Sequence, residues 1–123
     1  MKKLKLGETT VDELVELFVD LCIAQDRELL RGDVPRINRL FDDIATIRQE
    51  LRARPGDQRH ALLPLYRHEN MQVRLVAAQA TLAIAPEAAR NALEQIKASK
   101  EQPQSAEASH SLWTLDRGIF KPT

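Results

Sequence analysis

A chain of 123 residues, 43% apolar and 29% charged, is long enough to bury one core and too hydrophobic to stay disordered. Lys plus Arg equal Asp plus Glu at 18 each, which excludes a global field drawing the chain to nucleic acid or an acidic membrane. The single cysteine, Cys22, excludes an internal disulfide and fits a reducing compartment, and no apolar run has the length of a signal core or a membrane span; a cytoplasmic protein making no membrane contact is expected.

Apolar residues recur at three and four and not at two, so the chain reads as all-α. The first helix begins after Thr10, a natural N-cap, with Glu13 three residues on completing a capping box, and it runs to about Arg31. Leu14, Phe18, Leu21 and Cys22 form its inner stripe, widened by Val11, Val15 and Leu17. Gly32 ends it. Asp33 can cap the second helix, whose first turn tolerates Pro35 because no amide bond is lost there. Ile37, Leu40, Phe41, Ile44, Ile47 and Leu51 make the stripe of helix two, which closes at the Arg54-Pro55-Gly56 run.

A shorter third helix is expected over about Gln58–Arg67, where Pro64 must bend it or tighten its register because the ring blocks the bond to residue 60. The fourth, about Asn70–Ala83, is the least ordinary. From Met71 to Ala85 the only polar residues are Gln72, Arg74, Gln79 and Thr81. Val73, Val76, Ala77, Ala80 and Ile84 make one apolar stripe; Leu75, Ala78 and Leu82 make a second. A helix apolar on two faces is packed on two sides, and its alanines let neighbours approach closely. Pro86 opens a fifth helix with Ala88, Ala89, Ala92, Leu93 and Ile96 inward. The last covers about Ala106–Arg117, and after Gly118 the residues Ile119 and Phe120 should fold back onto the preceding turn.

A two-faced helix near the middle favours a stack over a simple bundle. The expected architecture is one domain, residues 1–123, forming a right-handed α-α superhelix of about three helical hairpins, six helices in all. Residues 1–56 make the first hairpin, 57–85 and 86–118 the next two, and 119–123 a tail.

The segment from Ala61 to Ile96 resembles a HEAT repeat. Leu62, Leu63, Pro64 and Leu65 match the proline-kinked first helix of that family, and Val73, Arg74, Ala77, Ala78 and Leu82 match the second. Two departures stand out: His68 replaces the usual turn aspartate, and the proline lies closer to the Val73-Arg74 pair than in most repeats. The chain is also similar to a small bacterial family of unknown function, numbered 2019 among such domains, through the Leu112–Pro122 sequence LWTLDRGIFKP. That resemblance implies an ARM/HEAT-type fold, and the genomic neighbourhoods of some members suggest immunity proteins of toxin systems. Such a likeness implies fold more firmly than function.

The candidate chemistry is sparse. Arg74 is a charge on an otherwise apolar helix; the resemblance implies bonds to turn carbonyls or to a neighbouring acidic group, the alternative being an anion-recognising arginine on a concave face. His60, His68 and His110 show no ligand spacing, so no metal and no cofactor are expected. His68 reads as a turn residue, and His110, one turn before Trp113, as a partner of the indole or the cap of a groove. Cys22 reads as a small buried hydrophobe. Asp42 and Asp43 point to different sides of a helix and make no dyad, and no phosphate loop or nucleophile elbow is present. The basic residues of helix two are interleaved with acids, which disfavours phosphate tracking.

The expected function is therefore non-enzymatic: a helical-repeat module that binds another protein, an immunity or adaptor protein being the concrete case. His68, Arg74, His110 and Trp113 are the candidate binding residues. A nucleic-acid-associated HEAT-like protein is the alternative. Self-association into a homo-oligomer is open to it, because the last repeat has no obvious polar cap.

Overall fold

The computed structural model describes residues 6–123. Residues 1–5 of the expected first hairpin lie outside the described residues. The described chain is helical throughout, with no strand: α1 (Val11–Arg31), α2 (Val34–Ala53), α3 (Met71–Ala80), α4 (Pro86–Ser99) and α5 (Gln104–Asp116), with 3-10 segments at Leu6–Glu8 and Gln58–Arg67. Of the six expected helices, five are α-helices. The third is 3-10 along its whole length, so Pro64 tightens the register of its segment instead of bending an α-helix. Two compact units result, one ending at Ala61 and the other spanning Leu62–Thr123.

The first unit is the α1–α2 hairpin. Thr10 and Glu13 satisfy each other's backbone amides at 3.1 Å, the reciprocal box that fixes where α1 starts. Hydrogen bonding from the Thr10 backbone N–H, and then from its side chain, holds the Glu13 carboxyl below its ordinary range. Gly32 stops the helix with φ +74°, donating its N–H to the Glu28 carbonyl at 2.9 Å. The Asp33 carboxylate then accepts the Arg36 N–H at 3.2 Å and starts α2 within two residues. Leu14, Phe18, Leu21 and Cys22 of α1 are buried, as are Leu40, Ile44, Ile47 and Leu51 of α2.

Two features of this unit differ from expectation. Phe41 is 64% exposed, because Leu40 already fills the inward position at that level and the next residue is rotated about 100° around the helix. Glu28 is buried despite its charge, and its carboxylate meets Arg36 Nε at 3.2 Å and Arg31 at 3.8 Å across the turn.

The second unit is built around α3, α4 and α5, each in contact with the other two. Its core joins Leu75, Ala78 and Leu82 to Ala89, Ala92, Leu93 and Ile96 of α4 and to Ala108 and Leu112 of α5, with Tyr66, Met71 and Leu115 at the edge. On the other side of α3, Val73, Ala77 and Ala80 are buried as well. The two-stripe reading of the sequence is thus realised in side-chain burial on both faces.

The helix is even drier than its sequence implies. Gln72 is buried with its Oε1 accepting from Gln104 Nε2 at 3.0 Å. Thr81, fully buried, donates to the Ala77 carbonyl at 2.8 Å and is hydrogen-bonded to the Tyr66 hydroxyl. Thr81 also ends α3 at Ala80, earlier than the Ala83 expected from hydrophobicity alone. Ala88 is exposed, since Ala89, Ala92, Leu93 and Ile96 complete the inward stripe without it. No helix among the described residues is long and apolar enough to cross a membrane.

Candidate functional site

His68 and Arg74 come together at the turn before α3. The Asn70 side chain caps the helix by accepting the Val73 N–H at 3.1 Å, and its own N–H donates to His68 Nδ1 at 3.0 Å. Arg74, one turn into the helix, reaches back and donates through Nε to the His68 carbonyl. This arrangement satisfies groups that a helix entry would otherwise leave without partners. Beside it, Arg74, Tyr66, Gln95 and Ser99 share a cavity of about 50 Å³ with Met71, Ala92 and Ile96. A space of that size admits a few water molecules.

His110 and Trp113 come together on the outer face of α5. Their rings stack with centroids 6.2 Å apart and planes 18° from parallel. Arg117, one turn further on, places its guanidinium 4.7 Å from the indole centroid. The helix that carries them is pinned from both neighbours: Gln79 of α3 donates to Ser111 Oγ at 3.0 Å, Ser105 donates to the Lys97 carbonyl at 2.8 Å, and Arg90 of α4 pairs with Asp116 at 2.8 Å.

Trp113 is 48% exposed, and Ile119 and Phe120, in the tail that follows the helix, are 64% and 46% exposed. The turn after Gly118 does fold back, for both tail amides donate to the Thr114 carbonyl. The side chains of that tail stay exposed. Among the described residues no hydrogen bond, ion pair or ring contact joins the His110–Trp113 pair to the His68–Arg74 pair.

Two sites went unread in the sequence. Arg117 belongs to the stack, and the 110–113–117 spacing, one and two turns on one face, was the available signal. The other is cationic: the half-buried Arg48 is held below the ordinary guanidinium range by burial and by the proximity of Arg59 and Arg52. Arg59 is itself clamped bidentately by Asp57, at 2.9 and 2.7 Å, which holds that carboxyl down. No spacing rule relates residues 48 and 59, because a turn separates them.

Cys22 sits in the first unit's core, where burial pushes its thiol up to about 12, so it carries no thiolate near neutral pH. No group of three or more His, Cys, Asp or Glu among the described residues could hold a metal ion. His60 lies elsewhere, its Nδ1 against the Asp57 carbonyl at 3.2 Å.

The family model described as "Domain of unknown function (DUF2019)" matches residues 12–116. The chain belongs to that family. DUF2019 thus covers both units, from the first turn of α1 to the last residue of α5. The chain is also similar to a solved structure, titled as that of the protein RPA1889 from Rhodopseudomonas palustris CGA009, with a TM-score of 0.94 and 50% identity over 98% of this chain and 100% of that one. No curated protein matches.

Proposed function

We propose that this DUF2019 member is a non-enzymatic, HEAT-like superhelical protein that works by binding another protein through the outer face of α5. One observation carries the reading. Trp113 is held between His110 and Arg117 while nearly half exposed, and Ile119 and Phe120 of the following tail are exposed as well. Tryptophan and arginine are the side chains most often found to dominate association energies, and an indole already ordered by its neighbours loses little freedom on contact. Large apolar side chains left exposed within one short segment are the usual material of contact sites on folded domains.

In this reading His68 and Arg74 hold the turn before α3, and His110 and Trp113 make the contact. The HEAT-like arrangement is supported by the Val73–Leu82 motif, by burial on both faces of α3, and by Arg74 reaching a turn carbonyl. An immunity or adaptor role is the concrete case.

The test places a photo-crosslinking residue at position 113 in the native host. Expected is capture of a discrete protein, lost when Arg117 and His110 are both changed to Ala. Capture no greater than from position 94, exposed on α4 and outside this face, contradicts the proposal, as does a salt-dependent shift with DNA or RNA that abolishes protein capture.

A further inference from the structure

The outer stripe of α5 reads Ala106, His110, Trp113, Arg117, a four-three-four spacing on one helical face. All four residues are exposed, as is Glu107 on the flank of the stripe. Neither Glu107 nor Arg117 has an ion-pair partner among the described residues, where the ion pairs lie elsewhere.

That spacing is the same read in either direction, so a second α5 laid antiparallel meets it level by level. Ala106 then faces Arg117 of the second copy, and His110 faces Trp113 of the second copy. By symmetry each pairing occurs twice. The smallest residue stands opposite the stem of the longest, whose guanidinium lies back over its own indole. Glu107, one residue along and outside the ion pairs of the described residues, is the carboxylate that the seam sets against Arg117. The two aromatic stacks meet at the centre of the crossing.

We infer that the outer face of α5 is a two-fold, self-complementary seam whose partner is a second copy of this chain. The inference rests on the reading of this face as a protein contact and specifies what fills it. Complementarity of charge, size and ring type within one stripe favours a second copy over an unrelated protein, because an isologous contact must match itself under rotation. Ordinary stable interfaces bury roughly 800 Å² on each side, and a seam of about three turns with a short tail is at the small end. The dimer should therefore be weak and concentration-dependent.

The experiment is sedimentation of the full chain from micromolar to millimolar concentration, with circular dichroism as a fold control. Expected is a monomer–dimer equilibrium that Glu107→Arg and Arg117→Glu each weaken at least tenfold, both positions being solvent-exposed. Mixing the two variants in equal amounts should restore association, since both cross-copy ion pairs then form in the mixed dimer. A wild-type chain monomeric at millimolar concentration overturns the inference, and so does a dimer indifferent to both reversals or unrestored by mixing. If the chain stays monomeric while position 113 still crosslinks to a different protein, the inference falls and the protein-binding reading stands; if neither association is seen, both fall.

Discussion

The two units solve the same packing problem with different side chains. In the first, two long helices of 21 and 20 residues close one seam with Phe18, Leu14, Ile47 and Leu51, all fully buried. In the second, three shorter helices meet through Ala78, Ala89, Ala92 and Ala108, and the polar groups that their closeness traps are hydrogen-bonded to one another. Large side chains tolerate helices kept apart. Alanines require contact near backbone distance, so the second unit depends more on shape and on satisfied polar groups than on the amount of hydrocarbon buried.

Opposite substitutions should therefore damage the two units. Phe18→Ala leaves a cavity at the centre of the first unit and is expected to cost about 3–5 kcal/mol, read from denaturant unfolding. A loss below roughly 1 kcal/mol would mean that the α1–α2 seam collapses around the missing ring and is not tightly packed. High pH should act next, and on the first unit most. The Cys22 thiol titrates near 9 when unfolded and near 12 when folded, so its contribution is complete below pH 9 and is lost as pH rises through the window up to about 12. The slope there is at most about 1.4 kcal/mol per pH unit. Cys22→Ala should flatten that slope; an unchanged alkaline limb would assign it to other groups, Tyr66 in the second unit first, since burial raises that phenol too.

In the second unit enlargement should hurt where truncation has nothing to remove. Ala78→Leu is expected to cost about 1–3 kcal/mol by overpacking between α3 and its neighbours. A neutral result would show slack that complete burial of Ala78 does not suggest. Thr81→Val keeps the volume but strands the Tyr66 hydroxyl and is expected to cost about 1–2 kcal/mol. The smallest effect, about 1 kcal/mol, belongs to Thr10→Ala, which removes the cap of α1. Thermal unfolding should rank the last two in that order.

The same contrast explains what was legible in the sequence. Apolar residues repeating at three and four identified the first unit's helices, and the Thr10–Glu13 cap with Gly32 set the bounds of α1, observed as Val11–Arg31. The doubled stripe of α3 was legible because alanine, valine and leucine leave so few polar positions, but its end was not. Thr81 bonds back to its own helix and to Tyr66, a tertiary contact that no local pattern encodes. Among the site residues, the His110–Trp113 pairing followed from one-turn spacing, whereas the exposure of Phe41, Ile119 and Phe120 did not. Periodicity identifies a face and says nothing about whether another element covers it. The Arg48–Arg59 proximity was out of reach for the related reason that it spans a turn.

Trp113 is the chain's only tryptophan, so its fluorescence reports on the proposed contact face without labelling. Its emission maximum, followed during dilution from millimolar to micromolar chain, tests the claim that α5 meets protein there. The account predicts a shift to longer wavelength as the indole regains water, suppressed in Arg117→Glu, which should emit at the dilute position throughout. An emission maximum that does not move with concentration, and is not altered by any protein captured at position 113, would contradict it.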